Sequence, residues 1–202
     1  MATLAGLAAA LGVAIAVAGL VHTSSFFERS FYPLVVASQS LPTLALAPLL
    51  VVWFGYGFIP KIFVVALLCF FPMAVNTIEG LKSVDVGQID MLRSLGAKRS
   101  QIFWHVYGPS ALVALLSGLK VAASYAAVGA MVGEWVGSSR GLGYFMLRSS
   151  SQFLTDRVFA AIVILALIGV GLYQLVDLSE KWLAPWHARR KLEEKKRRKT
   201  VG

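Results

Sequence analysis

Apolar segments long enough to cross a membrane recur along this chain and constrain its fold more than any other feature. Residues 2–21 form an uncharged apolar run of about 20 residues, which as a helix spans roughly 30 Å of hydrocarbon. Further apolar segments cover about 43–54, 61–76, 110–136 and 157–178. With 57% hydrophobic and 14% charged residues, the chain lacks the polar side chains that a soluble core of this size requires. We therefore expect an all-α, multi-pass membrane helical bundle of about five transmembrane helices.

The connections between these segments differ in character. A signal peptide is the alternative for the first run, but no basic residue precedes it. Residues 22–41 are mixed and indicate an interfacial segment. Because 43–54 is short for a crossing helix, part of 31–41 is expected to be helical and embedded as well. Pro72 is expected to kink the third segment, and the Gly- and Ser-rich residues 137–156 are expected to be a connection.

One long polar interval, residues 79–109, separates the third and fourth apolar segments. Ile89, Leu92 and Leu95 recur at a three-residue step, which is one face of a short helix, and Gly96 is placed to end that helix in a left-handed conformation. A second short helical pattern precedes Pro109. The interval also carries seven residues that are charged at neutral pH and so cannot lie in hydrocarbon; they are Glu79, Lys82, Asp85, Asp90, Arg93, Lys98 and Arg99.

Two short amphipathic helices joined at a glycine, outside a membrane, are suited to docking on another protein. An ordinary connector is the alternative. Four basic residues lie in this interval, and eight of the 19 Lys and Arg lie in 189–199. Basic residues beside apolar helices favour the cytoplasmic side and attract anionic lipid, so the interval and the basic tail, 186–202, are expected in the cytoplasm. The net charge of +9 therefore does not indicate nucleic-acid binding.

The sequence gives no indication of catalysis or of a metal site. It contains no GxxxxGK[ST] phosphate loop and no GxSxG nucleophile motif. The three histidines, His22, His105 and His187, lie in different polar segments without suitably spaced Cys or carboxylate partners. Cys69 stands alone in an apolar run and is expected to be a packing residue. We therefore predict a membrane protein that is not an enzyme.

The fourth apolar segment carries small residues at three- and four-residue steps. Such a stripe lets another helix approach closely, in this chain or in a second copy. The members of the stripe are Ala122, Ala126, Gly129, Gly133 and Gly137.

Two ionisable residues, Lys120 and Glu134, also lie in the fourth segment. A charge within a span usually faces the protein interior or a watery path. Glu134 and the adjacent Trp135 are therefore candidates for the translocation path, whereas Lys120 is expected to reach toward the cytoplasmic headgroups. Weaker path candidates are Asn76, Ser124 and Tyr125, and Asp177 and Glu180 are expected at the interface.

The polar interval resembles the cytoplasmic loop of the membrane permease subunits of binding-protein-dependent ABC importers. That loop reads Glu-Ala-Ala, three residues, Gly, nine residues, Ile, one residue, Leu-Pro. Gly96 and Pro109 occupy the glycine and proline with the spacing intact, and Asp90 stands for the glutamate. Met91 and Leu92 replace the alanines, Val106 the isoleucine and Gly108 the leucine. Residues 45–50, 53–55, 94–97 and 141–144 resemble the nitrate/sulfonate/taurine and pyrimidine branch.

The resemblance implies a permease domain over residues 1–185 in a bacterial cytoplasmic membrane. It implies a second permease subunit, as a homodimer, cytoplasmic ATP-binding subunits that hold ATP and Mg, and an extracytoplasmic solute-binding protein. This chain would bind no cofactor itself. Members usually have one more apolar segment at the start, so either a five-helix core form or a shortened start is expected. The residues expected to contact the ATPase subunit are Asp90, Leu92, Arg93, Ser94, Leu95, Gly96 and Ala97.

The substrate is less constrained. The similarity of residues 132–135 and 143–144 favours a pyrimidine thiamine precursor or a riboflavin-like heterocycle, and nitrate, sulfonates and taurine are the alternatives. An ATP-independent channel or secondary carrier is the second hypothesis for the whole chain, although no internal repeat supports it. A membrane scaffold that only docks a soluble partner is a third.

Overall fold

A computed structural model describes residues 1–39 and 42–187, and the elements within these ranges are all helical. The predicted all-α class is therefore confirmed. The basic residues 189–199 lie outside the described ranges. The helices are α1 (Ala2–Thr23), α2 (Ser25–Ser38), α3 (Thr43–Phe54), α4 (Phe58–Lys82), α5 (Val86–Ser94), α6 (Arg99–Ile102), α7 (Gly108–Gly137), α8 (Leu142–Ser151) and α9 (Thr155–Leu183), with a π-helical turn (Phe103–Tyr107) between α6 and α7.

Four helices of the described residues are long and apolar enough to cross a membrane: α1, α4, the continuous helix Arg99–Gly137, and α9. A helical membrane bundle is thus confirmed. Helix α3 is also apolar but has 12 residues, a rise of roughly 18 Å. It is therefore too short to span the hydrocarbon alone.

Helices α2 and α3 together return the chain across the bundle. Helices α1 and α4 run parallel, because Gly6 lies against Val65 while Val21 packs near Leu81. The chain must therefore cross back between them. Helix α2 lies at one end, where Glu28 pairs with Lys82 at 2.9 Å. Helix α3 lies at the other end, where its buried Ala47 packs with α4 and α7. Part of 31–41 is helical, as expected from the shortness of 43–54.

The core forms where α4 and α7 pack antiparallel. Met73 and Cys69 of α4 are fully buried with Ala122 and Ala126 of α7. The Cys69 thiol donates a hydrogen bond to the Ala122 carbonyl at 3.3 Å, so Cys69 is a packing residue. Pro72 lies inside α4, which continues through it.

The boundaries of the polar interval differ from the prediction at both ends. Residues 79–82 form the last turn of α4, and the helix that leads into α7 begins at Arg99 rather than near residue 110. Pro109 lies in the first turn of α7, directly after the π-helical turn. Because that wider turn bonds the Gly108 N–H to the Phe103 carbonyl, the chain accommodates a proline without ending the helix.

Residues 137–156 contain a helix, although their Gly- and Ser-rich composition predicted only a connection. Helix α8 begins after Gly141, whose φ of +120° suits glycine. Leu142, Phe145 and Met146 follow the i, i+3, i+4 pattern of a helix face. That pattern was the available signal, and the surrounding glycines and serines concealed it.

Candidate coupling segment and polar sites of the bundle

Helix α5 is a short, well-delimited element outside the bundle core. Its N-terminus is capped by Asp85, whose carboxylate accepts a hydrogen bond from the Gly87 N–H at 2.9 Å. At its C-terminus, the Gly96 N–H bonds to the Arg93 carbonyl at 2.9 Å and the Ala97 N–H to the Leu92 carbonyl at 3.0 Å. This pair of bonds is the Schellman motif, which needs a left-handed residue at the glycine position.

The turn after α5 is short and restarts a helix at once. Gly96 has φ of +82°, a region that side chains with a Cβ rarely adopt. The Gln101 side chain then accepts a hydrogen bond from the Lys98 N–H at 2.7 Å, which fixes the start of α6. Because α6 continues through the π-helical turn into α7, only a few residues separate α5 from a membrane-spanning helix.

Helix α5 and its C-cap residue expose apolar side chains beside polar ones. Ile89 is the buried residue of this helix, with 6% of its surface exposed, so it anchors α5. Leu95 and Met91 are 75% and 58% exposed. Asp90 and Arg93 form an exposed pair at 3.4 Å, a type that contributes about 0–1 kcal/mol. The structure thus leaves Met91 and Leu95 free for contact with a partner.

The stripe of small residues on α7 lies against other helices of the same chain. Ala122 and Ala126 pack against α4 in the core. A Cβ added to Gly129 would lie 3.1 Å from the Val65 Cα, and one added to Gly133 would lie 3.1 Å from the Lys61 Cα. Gly137 faces α3. Gly129 and Gly133 therefore let α4 approach α7 at backbone distance, and Gly137 leaves room for the Val51 side chain of α3.

Glu134 has a structural partner. Its carboxylate accepts a hydrogen bond from the Gly143 N–H at 2.7 Å, which holds the start of α8 against α7. Trp135, next to it, has a buried indole N–H for which the described residues provide no hydrogen-bond acceptor. Both lie at the end of the bundle opposite α5.

The remaining candidates for the translocation path lie at other positions along the length of the bundle. The Asn76 side chain donates to the Pro72 carbonyl at 2.7 Å within α4. Ser124 is exposed and, with residues of α9, lines a cavity of about 410 Å³ between α7 and α9. Tyr125 is half exposed. The structure therefore brings Glu134 and Trp135 together but does not join them to Asn76, Ser124 and Tyr125, whose role in a path stays a prediction.

A buried charge cluster joins α7 to α9, and its pairing was not predicted. The Lys120 ammonium, expected at the headgroups, contacts the carboxylates of Asp177 and Glu180. Lys120 and Glu180 are only 8% and 4% exposed, so both are buried between helices of this chain. His187 lies 3.0 Å from Glu180. The available signal was a single cation in one span and two carboxylates three residues apart in the next.

Comparisons with known proteins agree with this architecture. Residues 8–185 match the family described as binding-protein-dependent transport system inner membrane component. The chain is 42% identical, over 181 residues, to the formylaminopyrimidine transport permease protein ThiX of Halalkalibacterium halodurans, covering 90% of this chain and 72% of ThiX. It is 37% identical, over 163 residues, to the riboflavin transport system permease protein RibX of Chloroflexus aurantiacus, covering 81% and 61%.

A third relative is the taurine transport system permease protein TauC of Escherichia coli. It is 37% identical over 156 residues, covering 77% of this chain and 56% of TauC. The chain thus spans 56% to 72% of the length of these three relatives.

Proposed function

Because the chain belongs to the family of binding-protein-dependent transport system inner membrane components, we propose that it is the membrane permease subunit of an ATP-driven importer. The observation that carries this proposal is α5, a rigid helix outside the core with exposed apolar residues. It is joined through Gly96 and α6 to the membrane helix α7.

The coupling step follows from this arrangement. ATP-binding subunits on the cytoplasmic side would hold ATP and Mg, and closure of their dimer would move α5. The Schellman turn at Gly96 keeps the angle between α5 and α6 fixed, so the motion reaches α7 instead of being absorbed in a loop. Because α7 packs against α4 through glycines, both helices would then move together and change access to the path.

The other partners follow from the family. A second permease subunit, in a homodimer, would complete the path, and an extracytoplasmic solute-binding protein would deliver the solute. This chain would bind no cofactor and no metal itself. The proposed location is the bacterial cytoplasmic membrane, with α5 and the basic tail on the cytoplasmic side.

For the substrate we favour a pyrimidine thiamine precursor or a related heterocycle. The support is the similarity to the formylaminopyrimidine permease and the riboflavin permease. Taurine or sulfonate is the alternative, since a taurine permease has 37% identity.

Purification of the full chain from its own host tests the proposal. We expect a stoichiometric ATPase subunit to copurify and to be lost when Leu95→Asp places a charge beside the exposed Met91 at the C-terminal end of α5. Val86→Asp is the matched control, because Val86 is also exposed but lies about 180° away from Leu95 at 100° per residue. Purification without an ATPase subunit, or its retention in Leu95→Asp, would contradict the proposal and favour an ATP-independent channel or carrier.

A further inference from the structure

A cationic cavity lies at the end of the bundle opposite α5, the end that also carries Glu134 and Trp135. Its volume is about 610 Å³, within the roughly 300–1,000 Å³ of pockets that hold small ligands. It opens between the turn that joins α3 to α4 and the turn that joins α7 to α8. The side chains that matter are Tyr56, Phe58, Lys61, Ser138, Arg140 and Tyr144.

Lys61 is held in this cavity by backbone packing and by one hydrogen bond. Its stem lies against Gly133, where an added Cβ would be 3.1 Å from the Lys61 Cα and 3.4 Å from its Cβ. Its ammonium donates a hydrogen bond to the Ser138 hydroxyl at 2.8 Å. The stem is therefore fixed, and two of the three ammonium donors have no acceptor among the described residues.

Ser138 also fixes the turn that carries the second cation. Its hydroxyl donates to the Arg140 carbonyl at 2.5 Å and accepts from the Arg140 N–H at 3.1 Å. The same hydroxyl thus links the Lys61 side chain to the Arg140 backbone. The geometry sets two positive side chains on the rim of one cavity.

These two cations have no counter-ion in the described part of the chain. Neither Lys61 nor Arg140 lies within 4.0 Å of a described carboxylate oxygen. Glu134, on the same end of α7, is turned to the Gly143 N–H instead. A lysine and an arginine that no carboxylate contacts leave a positive site, and guanidinium suits anionic oxygen groups.

The lining also contains three aromatic side chains. Tyr56 and Phe58 are exposed around the opening, and Tyr144 is half buried within it. Aromatic faces pack against planar organic groups, and each tyrosine hydroxyl adds a hydrogen-bonding group. A ligand with one anionic group and a small organic body fits this combination.

We propose that this cavity binds the anionic oxygen group of a small organic solute, a sulfonate, carboxylate or phosphate, between Lys61 and Arg140. This inference rests on the proposed function only for its reading as the outer entrance of the path, and it favours the taurine or sulfonate alternative over an uncharged pyrimidine. The same charge chemistry would suit the headgroup of an anionic lipid, so the test distinguishes the two sources.

The probe is benzenesulfonate, titrated against the full chain in nanodiscs of phosphatidylcholine and followed by saturation-transfer NMR. We expect binding to weaken at least tenfold in Lys61→Met and in Arg140→Gln. Arg148→Gln is the matched control, because Arg148 is an exposed arginine on α8 that does not line the cavity. The neutral isostere benzenesulfonamide should bind at least tenfold more weakly than benzenesulfonate to the unchanged chain.

Absence of benzenesulfonate binding to the unchanged chain would overturn the proposal. So would equal binding in Arg140→Gln, or an equal loss in Arg148→Gln. Arg140 is exposed on a turn, so its variant tests the site even if Lys61→Met fails to fold. Nanodiscs with phosphatidylglycerol separate the sources: unchanged binding supports a solute, whereas competitive loss assigns the cavity to lipid and overturns the solute reading. Because no ATPase subunit is present, a failure here leaves the importer proposal standing.

Discussion

Lys120 shows how one residue in a membrane span can be held by its partners. An ammonium in an apolar helix is costly to bury, and here Asp177 and Glu180 of α9 neutralise it. Breaking a buried pair by removing one partner leaves an uncompensated charge, which typically costs 3–5 kcal/mol. The same argument does not apply to Lys181, which is exposed and pairs with Asp177 at 3.5 Å.

We therefore predict that Lys120→Met lowers the stability of the chain by about 3 kcal/mol. The measurement is thermal unfolding of the purified chain in detergent, followed by circular dichroism. Lys181→Met is the control and should change stability by less than about 1 kcal/mol. A Lys120→Met variant that unfolds at the same temperature as the unchanged chain would show that the charge cluster does not hold α9 to α7.

A second prediction for single residues concerns glycines within the membrane-spanning helices. A Cβ at Gly118 would lie 2.6 Å from the Pro72 carbonyl oxygen and 2.9 Å from the Met73 Cα. Because both are backbone atoms of α4, they cannot rotate away, and we expect Gly118→Ala to cost about 1–3 kcal/mol. At Gly171, a Cβ meets no atom within 4 Å.

The matched variant is therefore Gly171→Ala in α9. It should leave stability unchanged or raise it by about 0.5–1 kcal/mol, since alanine favours a helix over glycine. Unfolding of both variants under the same conditions provides the comparison. Equal melting temperatures of Gly118→Ala and Gly171→Ala would mean that α4 and α7 are not in backbone contact at Gly118.

Among the elements, α5 and its C-terminal turn depend on one backbone conformation. Gly96 has φ of +82°, and a Cβ there would meet no neighbouring atom. The constraint is therefore conformational and not steric crowding. A β-branched residue in this left-handed backbone conformation costs roughly 1–3 kcal/mol of strain. If the turn at Gly96 relaxes to avoid that strain, the angle between α5 and α6 changes.

We predict that Gly96→Val uncouples transport. In proteoliposomes with the ATP-binding subunits, ATP hydrolysis should persist while solute uptake falls at least tenfold, because displacement of α5 no longer reaches α7. Gly87→Ala is the control, since Gly87 lies within α5 and an added Cβ meets only ordinary contacts. Uptake by Gly96→Val at the level of Gly87→Ala would contradict the coupling role.

An element could be predicted from the sequence where the residues that determine it are close neighbours in the chain. The end of α5 at Gly96 followed from nearby residues, and so did the limits of α3, because capping and periodicity act over a few positions. The continuation of α6 into α7 did not, since a proline suggested a boundary and the π-helical turn that accommodates it has no simple sequence pattern.

For the whole molecule, apolar length determined the class and the approximate spans. The pairing of Lys120 with Asp177 and Glu180 was not predictable, because it depends on the rotation and register of two helices that are far apart in sequence. The direction of α1 relative to α4 was likewise not predictable, because it depends on how the helices pack. Parallel packing of these two helices requires α2 and α3 to form the return crossing.

This topology gives the last prediction. Tyr56, between α3 and α4, and Leu95, after α5, lie at opposite ends of α4, and both are exposed. Cys69 is fully buried, so a new cysteine can be labelled with little background. With the basic side in the cytoplasm, a membrane-impermeant maleimide added to intact cells should label Tyr56→Cys and not Leu95→Cys.

Permeabilised cells should label both variants, and the unchanged chain should label in neither condition. The expected result depends on α2 and α3 crossing together, because otherwise Tyr56 would remain on the side where α1 ends. Labelling of both variants from the same side would therefore disprove the broken crossing. Labelling of Leu95→Cys alone in intact cells would instead invert the orientation and separate α5 from any cytoplasmic ATPase, which would remove the basis of the importer proposal.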